Sequence, residues 1–483
     1  MNIRLVSKII GIVLCAGSAS MVPSLLLSLY NRDGICGAFI GSMLIGLIIG
    51  LPLARRGVDG RERMQARDGF ATVAGCWFFL SVLCALPYCF SGALPNFFDA
   101  LFESSSGLTT TGASVIADVE ALPNSLLFWR CFTQFMGGMG VLVLMLALLP
   151  KLGAGTVFLM RAESPGPIKD KLLPKLGQSA KILYVIYLIL IAAETVCLRI
   201  AGMPWFDSIC HSMASISTGG FAIKNTSIAY YDSMAIDWIM IVFMFLAAVN
   251  FSLLFLVAKR DFKTVLKNEE LRLYAGAVAL SSVVIFLVLI FQNGLPASFQ
   301  VFTDVVFQVV TLVTSTGFAT ADYNLWPTAA QCILLALMVM GGCAGSTAGG
   351  VKPSRVLMLH RMVKRSVHKV LHPRQVHIIS FNGKRVDEDT LLSVSVFFYA
   401  YCALLAVGTL VVSFDNMGFA TAFSSAVTCL SNIGPGLDAV GPTSNFSALS
   451  SLSKAVLSVL MLTGRLEIFP ILVLLNPHGW MHK

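Results

Sequence analysis

Residues 107–114 read Gly-Leu-Thr-Thr-Thr-Gly-Ala-Ser, with apolar stretches of membrane length on either side. Three hydroxyls between two glycines suit neither a lipid-facing helix nor a simple turn. Three further segments repeat the arrangement. "DALFESSSGLTTTGAS" begins at Asp99, "DSICHSMASISTGGFA" at Asp207, "DVVFQVVTLVTSTGFA" at Asp304 and "TAFSSAVTCLSNIGPG" at Thr421. In each, a run of about two to three helical turns passes into small polar residues. A glycine then follows thirteen positions after the first residue quoted: Gly112, Gly220, Gly317 and Gly434. Gly219 could anchor the second segment, but the Gly-Phe-Ala shared by 220–222 and 317–319 selects Gly220. Successive glycines lie 108, 97 and 117 residues apart, an internal period of about a hundred residues.

Composition sets the class. Of 483 residues, 56% are hydrophobic and 12% charged, and the mean hydropathy is +0.80; a soluble domain is roughly 25% charged. The chain reads as a polytopic membrane protein. Its twelve cysteines form no CxxC pair and sit in apolar segments (Cys76, Cys197, Cys332, Cys402), as small buried hydrophobes do. Arg4 and Lys8 before an apolar run, with Ala-Gly-Ser-Ala-Ser after it, imitate a secretory signal. The run continues through Pro23 to Leu29, which favours a retained first span over a cleaved signal.

Basic residues fix the topology. Arg55, Arg56, Arg61, Arg63 and Arg67 occupy one polar loop; Lys151, Arg161, Lys169, Lys171, Lys175 and Lys181 the next. Lys259, Arg260, Lys263, Lys267 and Arg272 occupy a third. The stretch 352–385 carries Lys352, Arg355, Arg361, Lys364, Arg365, Lys369, Arg374, Lys384 and Arg385. These loops hold 25 of the 34 Lys and Arg residues, and the positive-inside rule makes all four cytoplasmic. The net charge of +9 is thus a topology signal. Nucleic-acid binding would need a basic face on a soluble domain.

Spans are expected at 6–30, 36–54, 70–92, 125–150, 182–203, 235–258, 271–293, 328–360, 391–413 and 452–475. That gives ten crossings with both termini inside. The four short segments fall between paired spans and are too short to cross, so each is expected to be re-entrant. The expected architecture is all-α: two extra N-terminal spans and a cytoplasmic loop (1–69), then four span–half-helix–loop–span units at 70–181, 182–270, 271–390 and 391–483 around one pseudo-fourfold axis.

A half-helix ending in mid-membrane aims its last carbonyls, and the negative end of its dipole, at the centre. Four such ends around one axis favour a cation. Backbone and hydroxyl oxygens without a central carboxylate suit a weakly hydrated monovalent ion, whereas Ca²⁺ or Mg²⁺ calls for Asp or Glu. Tight packing of small residues is the alternative reading of any one loop, but it does not explain four in register.

The Thr110-Thr111-Gly112 run, Ser217 to Phe221, Ser315 to Phe318 and Asn432-Ile433-Gly434-Pro435-Gly436 resemble the four filter loops of the TrkH/KtrB superfamily of potassium transport proteins. The resemblance runs nearly the whole chain, to "TGRLEIFPILVLL" at 463–475, and the extra N-terminal spans point to its TrkH branch. It implies a single K⁺ pore per subunit. The implied ligands are backbone oxygens of Thr110, Thr111 and Gly112; Thr218, Gly219 and Gly220; Ser315, Thr316 and Gly317; and Asn432, Ile433 and Gly434. The fourth set departs most from the Thr-rich pattern. Glycine at all four anchor positions favours potassium over sodium. The resemblance also implies a homodimer in a bacterial inner membrane. A cytosolic nucleotide-binding regulatory subunit (TrkA-like) would dock on the basic loops, chiefly 352–385, a surface that also suits anionic lipid.

"GGCAGSTAGG" at 341–350 interrupts an expected span. Five glycines in ten residues each cost a helix roughly 1 kcal/mol relative to alanine, so an irregular intramembrane segment is expected. Gly341, Gly342, Gly345, Ser346, Thr347, Gly349 and Gly350 would form a mobile gate beneath the filter, as in the TrkH family; the overlapping GxxxG patterns offer close packing instead. The following Val351-Lys352-Pro353 excludes a phosphate-binding loop. Arg465 lies about ten residues into the last expected span, where a charge needs a pore or a partner. It is expected to face the ion path near 341–350 as a barrier or latch, or else to make an interhelical salt bridge. Glu467, two residues on, would face elsewhere on a helix.

Two rival functions follow from other residues. A carrier coupling K⁺ to Na⁺ or H⁺ needs a second site or a titratable relay; few acidic residues lie deep in the expected spans, but Glu194 and Glu103 leave it open. A membrane enzyme needs converging catalytic groups. His360, His368, His372, His377, His478 and His482 lie in or near cytoplasmic segments instead, and His211 stands alone in a half-helix.

Overall fold

The computed structural model of the chain describes residues 2–56, 66–138, 140, 176–375 and 377–475. Arg61, Arg63, the basic residues from Lys151 to Lys175, His478, His482 and the second half of the expected 125–150 span lie outside them.

Helices α1 (Ile3–Ser20) and α2 (Val22–Asn31) form one apolar length, and α3 (Cys36–Ala54) returns. Then come α4 (Ala66–Phe90), a short α5 (Phe97–Leu108) and α6 (Asn124–Gly138). The next unit has α7 (Leu176–Ile200), α8 (Trp205–Ile216), α9 (Met234–Ala247) and α10 (Phe251–Ala258), followed by α11 (Phe262–Lys267). The third has α12 (Glu269–Asn293), α13 (Phe299–Val313), α14 (Thr328–Met340) and α15 (Pro353–Leu371). A hairpin of β1 (Ser380–Phe381) and β2 (Lys384–Arg385) leads to α16 (Glu388–Ser413), α17 (Phe419–Ser431), α18 (Ser451–Arg465) and α19 (Phe469–Leu475). The hairpin pairs Ser380 with Arg385 and Phe381 with Lys384, the one departure from all-α among the described residues.

The burial pattern inverts that of a soluble protein. Ile48, Ile189, Leu280 and Leu392 stand exposed on long helices, while Ser104, Ser105, Ser106, Ser215, Thr311 and Ser425 are fully buried. Among the described residues six helices are long and apolar enough to cross a bilayer, or seven with the bent pair 234–258. This is a multi-pass membrane protein.

Four local features differ from expectation. The short helices run 12, 12, 15 and 13 residues, three to four turns, because they start upstream of the residues first quoted. Asn96 caps α5 by accepting from the Phe98 amide, and Ser298 caps α13 by accepting from Val301. The expected 235–258 span bends by 104° between Ala247 and Phe251. There the 341–350 segment enters the break: Cys343 N donates to Ala248 O at 2.9 Å and Phe251 N to Gly345 O at 3.0 Å. The last expected span ends its helix at Arg465, with left-handed Glu467 (φ 54°) and Ile468 (φ 66°) beyond it. Glu467 is therefore off the helix, and its carboxylate meets Arg355 at 2.5 Å. Finally, Lys352 and Arg355, read as cytoplasmic surface, are only 3% and 5% exposed.

Candidate functional site

Each short helix ends the same way. Its first loop residue is left-handed although it is not glycine: Thr110 (φ 54°), Thr218 (55°), Ser315 (57°) and Asn432 (55°). The next residue donates its amide to the carbonyl five positions back: Thr111 to Ser106 at 2.8 Å, Gly219 to Ala214 at 2.8 Å, Thr316 to Thr311 at 2.8 Å and Ile433 to Thr428 at 3.0 Å. This is the Schellman closure of a helix C-terminus. It narrows one expectation, since Ser106 O, Ala214 O, Thr311 O and Thr428 O are taken up by the loop rather than left aimed at the centre.

The third residue is the anchoring glycine, again at positive φ: Gly112 (83°), Gly220 (73°), Gly317 (89°) and Gly434 (104°). Gly219 is not among the left-handed glycines, so Gly220 is the residue equivalent to the other three. A Cβ on Gly112 would lie 2.2 Å from Gly219 O, on Gly220 1.8 Å from Thr316 O, on Gly317 2.3 Å from Ile433 O, and on Gly434 2.8 Å from Thr111 O. Each loop thus seats its glycine on the middle carbonyl of the next, and the fourth returns to the first. The four loops close a ring in chain order. Their glycines line one cavity together with Phe221, Pro435 and Arg130.

Sequence reasoning missed the group that braces this ring. Glu103 and Arg130 are buried, with Arg130 Nε 2.9 Å from Glu103 Oε1. Glu103 also accepts from Val115 N at 3.0 Å and from Ser114 Oγ at 3.0 Å. Arg130 donates to Ala222 O at 3.0 Å and lies 4.2 Å over the Phe221 ring. The pair therefore fastens the exit of the first loop to that of the second, and Glu103 is engaged as a brace. Gly219 O accepts from Gln134 Nε2 at 2.6 Å, a second contact between α6 and the ring. His211, in α8, lies within 3.2 Å of Tyr231 Oη.

On the other side of the ring lies the 341–350 segment, irregular as expected. Its base is sealed where Val351 N donates to Val339 O and Lys352 N to Met340 O, both at 2.9 Å. The ends touch so closely that a Cβ on Gly341 would sit 2.2 Å from Gly349 O. Close packing does occur, both between the two ends of this compact loop and against its neighbours: Gly349 sits on Ser431 O at the end of α17 and Gly345 on Asn250. Gly341 (φ 71°) and Gly350 (φ 80°) are left-handed at its two feet. Gly342 packs on Ala348 and Ala248, and Ser346 Oγ donates to Cys343 O at 2.6 Å.

The segment from Thr347 to Gly350 reaches the ends of two short helices and the loop that follows a third. Thr347 Oγ1 donates to Ile216 O at 3.1 Å, Gly349 N to Ser315 Oγ at 2.7 Å and Gly350 N to Ser431 O at 3.0 Å. Arg465 donates to Thr347 O at 2.9 Å and to Gly138 O at 2.7 Å, and also to Gly137 O. Gly137 packs on Leu108 O at the end of α5, so Arg465 bridges the loop to the first quadrant. Lys352 Nζ donates to Ala348 O. Glu270 accepts from Ala344 N at 2.8 Å and Ser354 N at 3.2 Å. Two cations thus hold consecutive carbonyls of the loop, and one carboxylate holds its flank.

A family model for TrkH, described as a cation transport protein, matches residues 38–479. The chain is 37% identical to the Trk system potassium uptake protein TrkH of Salmonella typhimurium and 38% identical to that of Escherichia coli (strain K12), each across 99% of this chain and all of the relative. It is 34% identical to TrkG of the same Escherichia coli strain, over 99% of both chains. The crystal structure of the potassium transporter TrkH from Vibrio parahaemolyticus matches along the full length of both chains, with a TM-score of 0.88 at 35% identity. These relatives are named as transport proteins rather than enzymes. The chain belongs to the TrkH family of cation transport proteins.

Proposed function

We propose that this chain carries K⁺ into the cytoplasm of a bacterium through one pore per subunit, with α5, α8, α13 and α17 as re-entrant pore helices within ten membrane spans. Both termini face the cytoplasm of the inner membrane. The observation that carries the reading is the closed ring of four loops whose glycines share one cavity. A ring of backbone oxygens can replace the hydration shell of a monovalent cation, and its uniform glycines suit K⁺. The ligands come from Thr110 to Gly112, Thr218 to Gly220, Ser315 to Gly317 and Asn432 to Gly434. Uptake of ⁸⁶Rb⁺ by cells lacking their own potassium uptake tests this. Wild type restores uptake that Na⁺ competes with poorly, and Gly112→Ser and Gly317→Ser weaken that preference. An unchanged preference in both variants overturns the filter assignment.

The 341–350 loop acts as the gate, hinged at Gly341 and Gly350 and latched by Arg465. Each hydrogen bond to its tip is worth about 1 kcal/mol. Deleting residues 343–348 removes several of them, and flux in liposomes should rise roughly tenfold or more. Flux equal to wild type counts against the gate.

The chain works as a homodimer, and a cytosolic nucleotide-binding regulatory subunit docks on its basic cytoplasmic surface. With Lys352 and Arg355 buried, that surface is carried by Lys364, Arg365, Lys369, Arg374, Lys384 and Arg385. A proton-coupled version would use Glu194, fully buried in α7 and facing Ser215 of α8. K⁺ flux independent of any imposed H⁺ or Na⁺ gradient excludes it.

A further inference from the structure

We propose that Gln134 of α6 positions the second filter loop by replacing, from a neighbouring helix, the side chain that this loop lacks, and that it is thereby a determinant of ion selectivity. The inference rests on reading the four loops as a K⁺ filter.

The middle positions of the loops carry Thr111, Gly219, Thr316 and Ile433. In the first and third loops the threonine hydroxyl ties back to the chain two residues earlier: Thr111 Oγ1 lies 2.8 Å from Thr109 Oγ1, and Thr316 Oγ1 lies 2.8 Å from Thr314 Oγ1. The fourth loop is held by its first residue, Asn432 Nδ2, which donates to Thr111 Oγ1 and to Met461 O, both at 2.9 Å. The second loop has glycine at the middle position and no comparable tie from that residue.

Gln134 supplies one. Its carboxamide spans Gly220: Nε2 donates to Gly219 O at 2.6 Å, and Oε1 accepts from Phe221 N at 3.1 Å. Only one orientation of the amide satisfies both bonds. The side chain is fully buried, so neither partner has water as a substitute.

The glycine is explained by the same contact. Gly219 is not left-handed, so its backbone could hold any residue. The three atoms nearest the place of a Gly219 Cβ all belong to Gln134: Cδ at 2.4 Å, Oε1 at 2.7 Å and Cγ at 2.8 Å. Glycine at 219 and glutamine at 134 are therefore complementary halves of one packing unit. Its effect reaches the next loop, because Gly219 O is the atom on which Gly112 is seated.

The test is a reciprocal rescue on the full-length protein in liposomes, reading the K⁺/Na⁺ permeability ratio beside thermal unfolding in detergent. Gln134→Met keeps the length and loses both hydrogen bonds; the ratio should fall about tenfold while the protein still folds. Gly219→Thr alone collides with Gln134 and should also lose discrimination. Gln134→Ala with Gly219→Thr empties the space and refills it with a hydroxyl, and should recover at least half of the lost ratio on a logarithmic scale. A merely structural role would move the unfolding temperature without restoring the ratio. Should wild type fail to prefer K⁺, the filter reading falls and this inference with it. If wild type prefers K⁺ but Gln134→Met keeps the full ratio, or the double variant is no better than either single one, the inference alone is overturned.

Discussion

Gly220→Ser is expected to abolish K⁺ preference and to do the most damage of the four equivalent glycine changes. A Cβ there would stand 1.8 Å from Thr316 O, and the obstacle is backbone belonging to the adjacent loop. That carbonyl cannot swing aside without moving an oxygen of the ring. The residue is also left-handed at φ 73°, which costs an L-residue about 1–2 kcal/mol before any collision is counted. Gly112 and Gly317, with clearances of 2.2 and 2.3 Å, should follow, and Gly434, at 2.8 Å, should suffer least. Permeability ratios from bi-ionic measurements in reconstituted bilayers would rank them. The expected loss is about a hundredfold at Gly220 and nearer tenfold at Gly434. Equal effects at the two positions would mean that the ring closure between loops does not set selectivity.

The order of those four clearances could not have been read from the sequence, although the four glycines could. Their place behind a short polar run recurs in all four segments and Gly-Phe-Ala in two of them, and local repetition is what a sequence displays. The choice of Gly220 over Gly219 falls in the same class. Other features depend on what one segment meets in another element, 27 residues away for Glu103 and Arg130 and 85 for Gln134 and Gly219. Glu103 was visible as an acid inside an apolar segment, but nothing local joined it to Arg130, and nothing joined Gln134 to Gly219. The left-handed Thr110, Thr218, Ser315 and Asn432 were hidden for a different reason. Polar residues at these positions read as ligand choices, and nothing in that reading showed that the backbone also places each of them at the residue that closes a helix. Lys352 illustrates the converse error. Charge counting puts every lysine of a basic stretch at the surface, yet this one turns inward to a carbonyl of the 341–350 loop. The bend between Ala247 and Phe251 was equally unreadable, since its cause is the intrusion of residues 343–345 from another unit.

The Arg130–Glu103 brace leads to the second large effect. Arg130→Ala is expected to destabilise the protein by about 3–5 kcal/mol, the usual result of leaving a buried charge without its counter-charge. Three losses coincide: the ion pair at 2.9 Å, the bond to Ala222 O at 3.0 Å and the contact over Phe221. Glu103→Gln alone keeps an acceptor for Val115 N and Ser114 Oγ, so its cost should be smaller. The combination is the informative one. Once Arg130 is gone, the carboxylate has no cation to face, and making it neutral removes the desolvation penalty. Arg130→Ala with Glu103→Gln should therefore unfold later than Arg130→Ala alone, by about 2 kcal/mol on a double-mutant cycle. Stability should recover further than selectivity in that variant, because the substituted amide on α5 cannot restore the bond from α6 to Ala222 O and the second loop stays untethered on that side. Unfolding in detergent and the K⁺/Na⁺ ratio, measured on the same four proteins, separate the two roles. If Arg130→Ala melts within a degree or two of wild type, the pair is not the brace its geometry describes. If the double variant recovers the ratio as fully as the stability, the brace acts only on the fold and the loops keep their positions without it.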